Sequence, residues 1–172
     1  MAYIYVKPST VHVPASGGTA PAAWGTAVNT ALSVLAPSVA ILRRAAAQSV
    51  NDSSAAQISF DTEDIDDSGF WAAGSPTRIA FPVKGIYLID VEVQFASDAD
   101  GIRQAALKRS GGSNDFNMVA PAINGVATVV KYPFITAERA ITDYYELEVI
   151  HNAGGALNVT ARVAITLLQE RS

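Results

Sequence analysis

The clearest pattern in the chain is a period of two. Between Ile86 and Phe95, the residues Tyr87, Ile89, Val91, Val93 and Phe95 fall on one face, and Asp90, Glu92 and Gln94 on the other. That alternation predicts a strand with one buried face. Tyr144–His151 repeats it, with Tyr145, Leu147 and Val149 set against Glu146 and Glu148. Asn158–Leu168 repeats it again, with Val159, Ala161, Val163, Ile165 and Leu167 in phase. Val39–Arg44, Gln57–Phe60, a short strand start at Arg78, Ile102–Lys108 and Val126–Tyr132 bring the readable strands to eight. Turn residues at 97–101 and 152–155 punctuate the series. Short strands at this spacing predict an all-β sandwich or jelly roll. No internal repeat or heptad run is visible, so a long fibre shaft is not expected.

The last strand carries a second message. Its other face bears Thr160 and Arg162 and then turns mostly apolar at Ala164, Thr166 and Leu168. A sandwich strand with one solvated face does not need this, and exposed apolar surface calls for cover. Either a subunit contact or an N-terminal helix folded back over that face would supply it. Such a helix is predicted between Pro21 and Leu35, where Trp24, Val28, Ala31, Leu32 and Leu35 recur at helical spacing. Pro21 suits its first turn and Pro37 stops it. Before it, Pro8, Pro14 and the run 15–19 break any regular element. The expected organisation is an extended arm and one short helix over residues 1–37, then the main domain over 38–172.

Composition narrows the class. Apolar residues make up 49% of the 172, a usual share, but charged residues only 16%, well under the usual quarter. A largely neutral surface fits a subunit that buries area against neighbours. The net charge of −4 argues against nucleic-acid binding, which needs a basic face. Arg43-Arg44 and Lys108-Arg109, the adjacent basic pairs, are expected at strand ends. The absence of cysteine excludes disulfides, thiolate metal sites and thiol nucleophiles. No stretch is long and apolar enough to span a bilayer, and the first residues do not form a secretory signal. Neither a membrane nor a nucleic acid is an expected partner.

Several residues invite a chemical reading. Asp61, Glu63, Asp64, Asp66 and Asp67 form an acidic run. As a calcium loop begun at Asp64, it offers Asp66, Ser68 and Gly69 at suitable offsets, and Asp64, Asp66 and Asp67 are the candidate ligands. Ser75 stands where the bidentate glutamate belongs, and the flanks are not helical. The plainer expectation is a solvated turn whose acids keep an edge from pairing, so no metal or cofactor is expected. Nucleophilic catalysis would have to use His12, in the arm, or His151, at a strand end and in phase with apolar neighbours. No Gly-x-Ser-x-Gly elbow accompanies them, and an enzyme is not expected. Phe70, Trp71, Tyr144 and Tyr145 are of a type that stacks on sugars, although strand aromatics usually belong to the core. Tyr3, Ile4, Tyr5 and Val6 make an apolar strip in the arm, suited to adding a strand to a neighbour's open edge or else simply a frayed end.

Pro82-Val83-Lys84-Gly85-Ile86-Tyr87 resembles the P-x-x-G-x-Y region of the globular heads of the complement first component, which share a jelly roll with tumour necrosis factor. Ile79 stands where that family usually has Phe, and Phe81 lies beside the proline instead. SFDTEDIDDSGFW and the following RIAFPVKGIYLIDVEVQFASDADGIRQAALKRSGG resemble the form of this domain found in structural proteins of tailed bacteriophages. Trp24, Asn29, Leu32, Leu35 and Pro37 fit the opening segment of those proteins. The resemblance runs from Trp24 to Glu170 and is strongest from Ser59 to Gly112. It implies a ten-strand jelly roll, a homotrimer and a virion component without enzymatic activity. The expected interface residues are Tyr3, Ile4, Tyr5, Val6, Trp24, Leu32, Ala164, Thr166 and Leu168. The expected partners are further copies of the chain and a major capsid or other virion protein. A capsid decoration or minor capsid role is preferred, against a tail-fibre or tail-tip receptor-binding protein and against a secreted bacterial adhesin or ligand of the same fold.

Overall fold

The structure is a computed structural model that describes residues 38–171. The expected arm and helix lie outside the described residues. Ten strands make up the domain, all paired antiparallel: β1 (Val39–Val50), β2 (Ala56–Gln57), β3 (Thr62–Asp66), β4 (Arg78–Ala80), β5 (Gly85–Phe95), β6 (Ile102–Arg109), β7 (Asn114–Pro121), β8 (Thr128–Ile135), β9 (Tyr144–His151) and β10 (Leu157–Glu170). One sheet, sheet A, has the order β3-β1-β10-β5-β8. The other, sheet B, has the order β2-β9-β6-β7, with β4 also paired to β9. Strands distant in sequence are neighbours in space, and each sheet mixes early and late strands, as a jelly roll requires.

The alternation seen in the sequence becomes the core. Tyr87, Ile89, Val91, Val93 and Phe95 are all buried against Tyr145, Leu147 and Val149 of the facing sheet and against Val159, Val163 and Ile165. Aromatic edges lock the two layers, with Phe81 tilted on Tyr87 and edge-on to Tyr145. Gly85 begins β5 where β10 passes very close: a Cβ there would meet the Gln169 carbonyl at 2.5 Å and Leu167 at 2.6 Å. The same glycine exchanges both backbone hydrogen bonds with Arg139, at 3.0 and 2.8 Å. Tyr87 reaches back to donate its hydroxyl to the Val83 carbonyl. The Pro-Val-Lys-Gly-Ile-Tyr segment is thus a tight entry into β5, with Gly for clearance and Tyr as its clasp.

Four expectations change. The acidic run is not a turn: Thr62–Asp66 forms β3, at the edge of sheet A, where one pairing partner suffices and charge deters a second. Arg43 and Arg44 stand inside β1 rather than at its end, beside a bulge between Arg44 and Gln48. Gln57–Phe60 is strand only through Gln57, although Ile58 and Phe60 still insert into the core. β8 runs on through Pro133, in register with Asp90, to Ile135, which an edge strand tolerates because the missing N–H can lie on its open side.

Candidate interaction surfaces

The outward face of sheet A is divided by chemistry. Strand register sets Val39, Thr166, Leu88 and Ile135 in one row across β1, β10, β5 and β8. The adjacent row holds Ile65, Ile41, Ala164, Asp90 and Pro133. Ile135 is 64% exposed, and Ile65 and Leu88 are also open to solvent. Leu168, 49% exposed, lies at the bulge between Leu167 and Gln169. Ala164 and Thr166 are half-buried in the middle of this patch. Two largely apolar rows on an outward face are more than a sandwich of this size needs. Asp90 sits within it, with Oδ1 buried and unbonded and Oδ2 3.7 Å from Lys131.

Further along the same face the next row is ionic. Arg43, Arg162, Glu92 and Lys131 follow one another across the sheet. Arg43 pairs with Asp64 at 2.7 Å and Lys131 with Glu92 at 2.9 Å. Arg44 pairs with Asp61 at 3.3 Å. A shallow cleft of about 320 Å³ opens here between Arg43, Arg44, Glu92 and Arg162. Two of its three cations are already neutralised, so it is not a phosphate track.

A second apolar surface lies at the side of the sandwich, where β7 and β8 are the free edges of their sheets. Tyr132 has the phase of the core residues Val130 and Phe134, yet it is 47% exposed. Its ring stacks on Phe116 at 5.1 Å, and Phe116 stacks in turn on Phe134 at 5.7 Å. Among the described residues no further strand closes the two layers here, and the aromatic column continues from the core to the surface. Val119 and Val129 are exposed on the flanking strands.

The acidic candidates do not converge. Asp64 faces Arg43, while Asp66 is filled from within its own loop. Asp66 Oδ1 accepts from the amides of Gly69 at 2.8 Å, Phe70 at 2.9 Å and Ser68 at 3.4 Å, and Oδ2 accepts from Trp71 at 3.0 Å. Asp67 is exposed. Among the described residues, no three acidic or histidine side chains come together as a metal cage. A carboxylate followed by Ser-Gly-Phe-Trp attracts amides for the reason it would attract a cation, so composition alone did not separate the two roles.

His151 is buried, with Nε2 3.0 Å from the Val50 carbonyl and its ring edge-on to Phe95. Asp52 lies 4.0 Å from Nδ1. The imidazole is a packing and turn residue with no hydroxyl nucleophile among its bonded partners. His12 and the interface candidates Tyr3, Ile4, Tyr5, Val6, Trp24 and Leu32 lie outside the described residues. The edge aromatics Phe116, Tyr132 and Phe134 were not singled out from sequence, because nothing in their local pattern marks the place where two sheets part.

No protein-family model and no curated protein matches the chain. Solved structures do. Murine APRIL is 13% identical over 76% of this chain and 99% of its own, with a TM-score of 0.54. Eiger TNF from S. frugiperda is 12% identical over 79% and 95%, with a TM-score of 0.54. The PRD1 vertex protein P5 is 14% identical over 76% and 73%, with a TM-score of 0.58. At these identities the likeness is one of fold, and the fold is the jelly roll of the tumour-necrosis-factor type.

Proposed function

We propose that the chain is a non-enzymatic structural protein of a phage particle that works as a homotrimer. The observation that carries this reading is the pair of unlike apolar surfaces on one protomer: the Val39–Thr166–Leu88–Ile135 face and the open Phe116–Tyr132–Phe134 edge. An edge that packs on a neighbour's face makes a head-to-tail contact, and such contacts close into rings when the rotation allows. Residues 38–172 would then be the trimerising domain. Residues 1–37 would be the arm and helix that dock on a capsid or other virion protein. The fold likeness to a viral vertex protein supports a place on the particle surface. The absence of any shaft-forming repeat in the sequence favours a capsid decoration or minor capsid role. The fold shared with APRIL and Eiger keeps as an alternative a secreted bacterial adhesin or ligand of the same fold, and the cleft between Trp71 and Tyr144 supports a tail-fibre or tail-tip receptor-binding protein.

Light scattering on the purified chain tests the assembly: the expected mass is three times the 18.0 kDa protomer. A monomer at micromolar concentration would overturn the trimer. Counting copies per particle separates the roles, since a large number indicates decoration and a small one a tail component. Removal of residues 2–20 should abolish incorporation into particles while leaving the trimer intact.

A further inference from the structure

The four aromatic residues noted as possible sugar platforms divide into two pairs. Phe70 and Tyr145 are fully buried. Trp71 and Tyr144, far apart in sequence, line one open cleft of about 310 Å³ between the β3–β4 loop and the start of β9. Arg78 lies between them with its guanidinium stacked 4.4 Å above the Tyr144 ring. Exposed Ile141 forms an apolar lip, and Ser75 and Thr142 add hydroxyls to the lining.

The cleft is built, not incidental. Trp71 is fixed twice: its amide donates to Asp66 Oδ2, and its indole Nε1 donates to the Pro76 carbonyl at 3.2 Å. The loop that carries it is wound around the Asp66 carboxylate by consecutive amides. Asp143, also in the lining, is spent on its own turn through the Ala140 amide at 3.0 Å. Arg78 forms no ion pair with it, and the guanidinium rests on the Tyr144 ring within the lining of the cleft.

We infer that this cleft binds a pyranose ring bearing a carboxylate, as in a hexuronic acid residue of a glycan. The fixed indole of Trp71 suits the C–H face of a sugar ring, and the guanidinium stacked on Tyr144 suits a planar carboxylate with two parallel hydrogen bonds. The volume lies at the lower end of small-molecule sites, enough for one ring with its substituents. Because the walls are locked before binding, little ordering cost opposes a small ligand. The cleft shares no residue with the sheet A face or the β7–β8 edge, so the inference does not rest on the trimer.

Calorimetric titration of the 172-residue chain with methyl glucuronide, methyl glucoside and sodium acetate tests it, together with ligand-observed NMR. Saturable binding of the glucuronide is expected, with the neutral glucoside about tenfold weaker, the worth of one charge-assisted contact. Arg78→Gln, at an exposed side chain, should bring the glucuronide down to the glucoside's affinity without changing the fold. Trp71→Leu should weaken both sugars. Failure of the glucuronide to bind, equal binding by wild type and Arg78→Gln, or equal affinity for acetate would each overturn the inference.

Discussion

The hydroxyl of Tyr145 donates to Asp115 Oδ2 at 2.6 Å, and Arg139 Nη2 donates to the same oxygen at 2.6 Å. Tyr145 belongs to β9, Asp115 to β7, and Arg139 to the segment after β8 whose backbone is bonded to Gly85. One carboxylate therefore ties sheet B to the entry of β5 in sheet A, beside the open edge. Tyr145→Phe removes a hydrogen bond to a charged group in a buried setting and should cost about 2 kcal/mol. Asp115→Ala also strands the almost fully buried Arg139 and should cost about 3 kcal/mol. Urea unfolding at fixed protomer concentration measures both.

The same contact gives the protein an alkaline limb. Burial, and then the bond to Asp115, push the Tyr145 phenol well above its ordinary 10.0. Burial also raises Tyr87, against a lowering from its bond to the Val83 carbonyl. The folded chain keeps protons that the unfolded chain sheds above pH 10. The contribution is therefore complete below that pH and declines as pH rises further. Tyr145→Phe should flatten the fall in melting temperature above pH 10 without abolishing it, since Tyr87 remains. An unchanged slope would place the alkaline sensitivity elsewhere.

β5, β9 and β10 were legible in the sequence because each has one wet or half-wet face and one dry face, so the alternation is written in full. β3 and β7 were not. Both are edge strands: β3 buries little and carries charge, and β7 inserts mainly Phe116 among polar neighbours. Their ten-strand count came through the resemblance, not the period. Leu168, Thr166 and Ala164 were readable as surplus apolar surface, but which partner strand extends that patch depended on register with Leu88 and Ile135. The cleft was half visible, since Trp71 and Tyr144 stood out as residue types, whereas Arg78 gave no local signal of stacking on a tyrosine so distant in sequence.

Asp66 answers a question of chemistry with a measurement. Its two oxygens already accept from four backbone amides, so they have no cause to exchange them for a cation. Addition of calcium should leave the wild-type melting temperature unmoved, whereas a bound ion would raise it. Asp66→Ala should cost about 2 kcal/mol through the lost amide bonds. It should also increase protease cutting between Asp67 and Pro76.

Gly85 and Gly74 make a matched pair. A methyl group at Gly85 meets the Gln169 backbone and Leu167, whereas at Gly74 it meets nothing within 4 Å. Gly85→Ala should therefore cost about 1–3 kcal/mol, as overpacking does. Gly74→Ala should change stability by less than about 0.5 kcal/mol. Equal effects would show that β10 can shift away from the entry of β5.

Asp61 sets the acid limb. Its partial burial raises the carboxyl's affinity for a proton, but the amides of Ala45 and Ala46, the Thr62 hydroxyl and Arg44 outweigh this and hold it below the ordinary 3.8. The depressed group stabilises the fold above that value, and the contribution is lost as pH falls through the folded pKa. Asp52, lowered chiefly by the Gly154 amide, acts in the same direction. Asp61→Asn should lower the melting temperature at neutral pH, where that contribution is present, and make its further loss below about pH 4 shallower.

Leu88 offers the most direct test of the proposed trimer. It points outward from the middle of sheet A and is 36% exposed in the protomer, so a polar substitution removes little from the core. Its row neighbours Thr166 and Ile135 are outward as well. If a neighbour's Phe116–Tyr132–Phe134 edge rests on this row, Leu88→Glu would bury an unpaired carboxylate against aromatic rings, at a cost no surface contact of this kind absorbs. The variant should scatter light as a single 18.0 kDa chain with an unaltered β-sheet circular dichroism spectrum. Tyr132→Glu should give the same result from the other side of the contact, and the two together no more than either alone. A trimer that survives both substitutions must be held by other surfaces, and the face-to-edge arrangement would be abandoned.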